Sequence, residues 1–163
     1  MTCGLATEAD AAAIAGLRTA VAEHLTQRYG RGPWSTVSTE RGVLRALRAS
    51  RILVAREGER LSATLRLVAK KPWALDPAYF TPVAQALYLT DMAVAPESQR
   101  CGIGRALLVE GERLAREWPG QAIRLDAHDA PAGAGGFYVK CGYREVGRVI
   151  YRKTPLVYYE RIL

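Results

Sequence analysis

Cysteine is scarce in this 163-residue chain: Cys3, Cys101 and Cys141 stand far apart, and no pair has the spacing of a metal site. The odd count, with no basic N-terminal segment leading into an apolar run, reads as reduced thiols in a cytoplasmic protein. A disulfide scaffold is excluded, and no metal is expected. No apolar run approaches the ~20 residues of a membrane-spanning helix, so no membrane partner is expected either. Blocks of charge are missing as well. The net charge of +7 comes almost wholly from arginine and is scattered, with no basic run of five or more and no interleaved aromatics. Such a balance can mark a nucleic-acid-binding domain, but without a basic run it reads more simply as a basic surface. Repeats, linkers and low-complexity segments are absent, so the length gives one domain over residues 1–163, large enough to bury a core.

What is present is strongly patterned. Residues 2–6 read as a short strand. Thr7 with Asp10 caps a helix that runs to about Arg28 on Ile14, Leu17, Val21 and Leu25. The stretch from Tyr29 to Pro33 breaks it, and a second helix follows Ser38 with Val43, Leu44 and Leu47 buried. Residues 51–56 and 61–69 form a hairpin around Glu57-Gly58-Glu59. A long loop over 70–84 carries Trp73, Asp76, Tyr79 and Phe80; it either covers a site or packs its aromatics on the core. Then come a strand at 86–94, a helix over 105–118 stopped by Pro119-Gly120, a strand at 122–128 and a short helix over 134–141 ended by Gly142. A hairpin of 144–151 and 156–162 closes the chain. The helix between strands 86–94 and 122–128 makes that pair parallel, while the hairpins are antiparallel. The fold class is therefore mixed α/β, with a mostly antiparallel central sheet flanked by helices.

The run Gln99-Arg100-Cys101-Gly102-Ile103-Gly104 lies between a strand end, Val94-Ala95-Pro96-Glu97, and a helix. A glycine-containing turn feeding a helix N-terminus aims unpaired backbone N–H groups at one spot, where the helix dipole favours negative charge. Gly102 and Gly104 lack a Cβ, so an anion can approach the backbone closely. The segment reads as an anion cradle with a pyrophosphate as its ligand. It is not a P-loop, because no lysine follows either glycine. It is not a dinucleotide fingerprint, because Leu107 stands where a third small residue is needed.

The pattern Gln/Arg-x-x-Gly-x-Gly after Val-x-Pro-Glu resembles the acyl-CoA-binding signature of the GCN5-related N-acetyltransferase (GNAT) superfamily. Downstream, Gly136-Phe137-Tyr138-Val139-Lys140-Cys141-Gly142-Tyr143 is similar to the Phe/Leu-Tyr-x-Lys-x-Gly-Phe/Tyr helix of that family, in the order the family requires. The resemblance covers residues 86–163. It implies an acetyl-CoA-dependent N-acetyltransferase that transfers directly to a primary amine within a ternary complex, the partner being a small-molecule or protein amine. The alternative is a non-catalytic acyl-CoA-binding module. The resemblance also implies that strands 86–94 and 122–128 splay apart to admit the pantetheine arm. Many members are dimers, so it extends to a homodimer. A basic surface would suit polyanionic CoA.

By resemblance, Met92, Ala93 and Val94 pair with the pantetheine and polarise the thioester carbonyl. The cradle of Gln99, Arg100, Cys101, Gly102, Ile103, Gly104 and Arg105 holds the pyrophosphate, with Arg100 and Arg105 adding charge. Tyr138 protonates the leaving thiolate, a phenol of pKa about 10 serving a thiol of about 8.5. An alkyl ammonium must also lose a proton. Asp91, on the strand that carries the thioester, is the first candidate base; Glu40, Asp76, Asp126 and His128 are the others. Trp73, Asp76, Tyr79 and Phe80, with Asp91, would suit a cationic or aromatic acceptor. One departure stands out: Pro131 occupies the position where many members carry a CoA-contacting Asn, in a glycine- and alanine-rich stretch over 129–135. Cys101 and Cys141 read as fillers within the motifs, not as nucleophiles.

Overall fold

A computed structural model describes residues 1–163. Strand β1 (Thr2–Leu5) leads into a 3₁₀ turn whose start is fixed locally: the Thr7 N–H donates to Asp10 Oδ2 at 2.9 Å. Helix α1 (Ala11–Tyr29) follows and ends at Gly30, φ +81°. Helix α2 (Glu40–Ala49) is capped by Thr39, whose Oγ1 accepts from the Gly42 N–H at 3.1 Å. The hairpin of β2 (Arg51–Glu57) and β3 (Arg60–Val68) turns at Gly58. Then come β4 (Ala86–Val94), α3 (Ile103–Glu117), β5 (Ala122–His128), α4 (Gly135–Lys140), β6 (Arg144–Tyr151) and β7 (Thr154–Ile162). The last hairpin turns at Arg152 and Lys153, both left-handed (φ +46° and +67°), the type I′ geometry that matches strand twist. No helix is long and apolar enough to cross a membrane.

The seven strands form one sheet in the order β1-β2-β3-β4-β5-β7-β6, antiparallel except for β4 and β5. That parallel pair is short. It joins Ala86–Ala122, Leu87–Ile123 and Tyr88–Arg124, after which β4 continues to Val94 and β5 to His128 without pairing to each other. A local cause lies in β4: its register against β3 slips between Thr64 and Arg66, leaving an extra residue near Asp91, whose φ is +53°. A bulge of this kind bends its strand and raises the twist. The bend opens the sheet at its centre.

Alternate residues divide the sheet between two layers. Leu53, Leu65, Leu87, Leu89, Ile123 and Leu125 pack on Leu107, Leu108 and Leu114 of α3. Truncating a wholly buried leucine here, such as Leu65 or Leu107, would cost about 2–5 kcal/mol. On the opposite face, Ile52 and Val54 pack under Ile14 of α1 and Val43 of α2. The apolar stripe expected on α1 divides: Ile14 and Leu17 are buried, whereas Val21 and Leu25 are only half-buried and face an open cleft. On that face the 70–84 loop seats Leu75 and Phe80 on Val68, Tyr88 and Tyr158. Glu160 fixes it, accepting from the Thr81 N–H at 3.0 Å and Thr81 Oγ1 at 2.6 Å.

Candidate active site

Helix α3 starts immediately after two left-handed residues, Arg100 (φ +63°) and Gly102 (φ +82°). No backbone carbonyl accepts from the N–H groups of Arg100 through Arg105; the first to find one is Ala106, bonded to Gly102 O at 3.0 Å. These amides are the unpaired donors of a helix start, extended backwards by the turn. Gln99 fastens the turn to the sheet by donating from Nε2 to Val94 O at 3.1 Å. Gly104 fixes how closely α3 sits: a Cβ there would lie 3.2 Å from Val94 Cγ2 and 3.3 Å from Phe137 Cζ. Arg105 donates to the Lys140 carbonyl at the last turn of α4, so its guanidinium ties the cradle to that helix. Arg100 and Cys101 are exposed.

Beside the cradle, the diverging ends of β4 and β5 wall a cleft of about 420 Å³, closed by α1, the 33–38 segment and the 132–134 backbone. Tyr138 lies within it, buried, with its hydroxyl donating toward Met92 Sδ at 3.7 Å. Burial first, and then the nearby Asp126 and Cys141, hold its phenol well above the ordinary value, so the proton stays on oxygen at neutral pH. Asp126, half-buried on β5, is also shifted: burial raises its carboxyl above the usual range, with His128 pulling partly the other way. His128 has its buried Nδ1 without a partner and meets the edge of Trp34, ring centres 5.9 Å apart. Gly133 passes so close to the end of β5 that a Cβ would fall 1.8 Å from His128 O. Only glycine fits there. A larger depression of about 680 Å³ lies at the far end of β5, and the one charged side chain lining it is Arg116.

The sequence pattern of the acetyltransferase (GNAT) family matches residues 19–143. The chain belongs to this family. Solved structures agree on the fold. A ribosomal-protein-alanine N-acetyltransferase from Brucella melitensis superposes with a TM-score of 0.76 at 20% identity, covering 100% of both chains. The yncA protein of Salmonella typhimurium, solved with acetyl-CoA, gives 0.72 at 18% identity over 99% of this chain and 93% of its own. An aminoglycoside 6'-N-acetyltransferase complexed with coenzyme A gives 0.66 at 14% identity over 99% and 97%. No curated relative matches by sequence.

Within this GNAT fold the sequence candidates separate. Met92, Ala93, Asp91 and Tyr138 come together around the cleft, with Asp126 and His128 opposite them. The carboxylate of Asp91 is shared between two arginines, Oδ2 lying 3.4 Å from Arg66 Nη1 and 3.9 Å from Arg18 Nη1. Glu40 is exposed at the start of α2. The four loop candidates do not line the cleft. Asp76 caps its own turn, accepting from the Ala78 N–H at 3.0 Å, and Tyr79 stands edge-on to Tyr158 at 5.5 Å. Phe80 is buried and Trp73 is 83% exposed. Pro131 is exposed and outside the cleft, which the 132–134 backbone closes instead.

Among the cleft residues that the sequence did not mark as candidates are Arg18, Trp34 and Thr90. Arg18 carried a signal, since Ile14, Arg18, Val21 and Leu25 share one helical face and an arginine interrupts an apolar stripe. Trp34 and Thr90 carried none. Of the seven buried side-chain polar atoms without a partner, four belong to this cleft: Arg18 Nε and Nη2, Thr90 Oγ1 and His128 Nδ1. The other three are scattered, on Arg124, Tyr143 and Arg161. Unpaired polar atoms are rare in folded chains, and four of the seven gather around this cleft.

Proposed function

We propose that this protein is an acetyl-CoA-dependent N-acetyltransferase acting on a primary amine by direct transfer. The observation that carries the reading is the unbroken row of backbone N–H groups from Arg100 to Arg105 without a protein acceptor, beside the opening between β4 and β5. Such a row suits a diphosphate. The bulged end of β4, Met92 to Val94, faces β5 without pairing to it, so its backbone groups on that side suit the amides of a pantetheine arm. The solved structures with acetyl-CoA and CoA support this use of the fold.

Bound acetyl-CoA supplies an activated thioester; the chain supplies position and protons. Gln99, Arg100, Cys101, Gly102, Ile103, Gly104 and Arg105 form the diphosphate cradle, with the Arg105 side chain committed to holding α4. An N–H at Met92–Ala93 polarises the acyl carbonyl. Tyr138, a phenol protonated at neutral pH whose hydroxyl lies beside Met92 in the cleft, gives its proton to the departing sulfur. Asp126 takes the proton of the incoming ammonium, directly or through one water. It suits this role better than Asp91, because its raised carboxyl is a stronger proton acceptor while Asp91 is held by two guanidinium groups.

Calorimetry with acetyl-CoA, followed by a thiol-release assay over a panel of primary amines, tests the reading. Binding heat and amine-dependent thiol release are expected. Absence of both overturns it.

A further inference from the structure

The cation of the cleft is under-occupied. Arg18 projects from α1 with its side chain 12% exposed, and its single ionic contact is the 3.9 Å approach to Asp91. Its Nε and Nη2 have no partner and are covered in this structure, so a carboxylate in the cleft meets them once the side chain turns toward it. Asp91 lies closer to Arg66, at 3.4 Å, and Arg66 is itself anchored by donating from Nε to Ser50 Oγ at 2.7 Å. Two guanidinium groups thus face one carboxylate, and positive charge is left over on the α1 side of the cleft. A buried guanidinium with idle donors is costly to keep. The opposite wall has the reverse character, since Asp126 and His128 on β5 present proton acceptors to the same space.

We propose that the acceptor is a small amine carrying its own carboxylate, with the carboxylate on Arg18 and the amine turned toward Asp126 and His128. This rests on the acetyltransferase reading above and deepens it. The planar fork of a guanidinium is matched to a carboxylate in a way that a single ammonium is not. A polycation fits poorly, because only Asp91 and Asp126 bring negative charge and Asp91 is already spent on Arg18 and Arg66. The half-buried Val21 and Leu25, with Trp34, offer an apolar wall for the rest of the molecule. The cationic or aromatic acceptor expected from the sequence leaned on Asp76, which lies outside the cleft, and on Asp91, which lines it but faces Arg18 and Arg66.

The test compares matched sets differing only at the carboxylate: phenylalanine, its amide and 2-phenylethylamine; leucine, its amide and isoamylamine. The remaining common α-amino acids, β-alanine and γ-aminobutyrate are assayed alongside, with spermidine as the polycation. Release of CoA thiol is measured, and CoA binding is followed by calorimetry. The free acid should exceed its amide and its amine in kcat/KM by about 10- to 100-fold. Arg18→Gln should remove that preference, and Arg18→Lys, which keeps the charge without the fork, should retain part of it. Should Arg18→Gln fail to bind CoA, the wild-type preference alone decides. Equal use of amide or amine, a preference intact in a CoA-binding Arg18→Gln, or turnover of spermidine with no free acid used would overturn the proposal. CoA heat without a carboxylate preference sinks this inference alone, whereas no CoA heat removes the acetyltransferase reading with it.

Discussion

Two polar clusters share one face of the sheet, and they differ in how fully their atoms are bonded. Around Glu160, both carboxylate oxygens are engaged, by Thr81 and by Arg144, and Arg124 donates to Thr81 O at 2.9 Å while lying over the Phe80 ring. Burial alone would raise the Glu160 carboxyl, but the hydrogen bonds outweigh it and hold the group below its usual range. Two residues along β5 from the Arg124 that pairs with Glu160 stands Asp126, whose carboxyl is raised. Its neighbours in the cleft, Arg18, Thr90 and His128, keep idle polar atoms. The same sheet face therefore carries one nearly closed network, in which only Arg124 Nε is idle, and one open one. The closed network holds the 70–84 loop in place; the open one borders the cleft in which we place the ligands.

If that contrast is right, removing groups from the open cluster should damage turnover more than folding. Tyr138→Phe should show the largest effect, lowering kcat by about 100- to 10,000-fold while CoA affinity changes by no more than about twofold. Steady-state kinetics beside calorimetry checks it, and wild-type turnover would remove Tyr138 as the acid. Asp126→Asn should follow with a loss of about 100-fold and a flattened acidic limb of the pH–rate profile. Its effect on folding should have the opposite sign. A carboxyl raised by burial binds its proton more tightly in the folded state, so its favourable contribution is complete below the unfolded pKa and is lost as pH rises through the folded one. At neutral pH the ionised group opposes folding, and Asp126→Asn should raise Tm.

Glu160→Gln tests the closed side of the comparison. The lowered carboxyl of Glu160 stabilises above its unfolded pKa, and that contribution is lost as pH falls through the folded value. Denaturant unfolding at neutral pH should therefore show a loss of about 1–3 kcal/mol, shrinking on acidification, with turnover of the folded fraction retained. The smallest effect is expected at Arg105→Gln, which frees the carbonyl end of α4. A fall in kcat of about tenfold, with KM for acetyl-CoA little moved, would mark it as a residue that positions Tyr138. A change in KM alone would assign it to the diphosphate instead.

How much of this was legible in the chain depends on how local each cause is. The cradle was readable because two glycines between a strand end and a helix act within a few residues, and Gly102 is left-handed as its position requires. The parallel pair followed from the intervening helix. Its divergence was not readable from periodicity, since it turns on the bulge at Asp91, a slip against β3 that alternation of side chains does not record. Asp91 drew notice as a carboxylate at a strand end, but its partners, Arg18 and Arg66, come from elements far away in sequence. The aromatic loop stayed open between two roles for a similar reason: Phe80 and Tyr79 have their partner, Tyr158, on the last strand, and pack there.

The claim on which everything turns is that the amides from Arg100 to Arg105 receive the diphosphate of coenzyme A, and backbone amide NMR reads it directly. Titration with CoA should move the resonances of Arg100–Arg105 strongly, whereas pantetheine, which lacks the diphosphate, should move only those near Met92–Val94. Resonances at 100–105 that stay in place with CoA, or that respond equally to pantetheine, would contradict it.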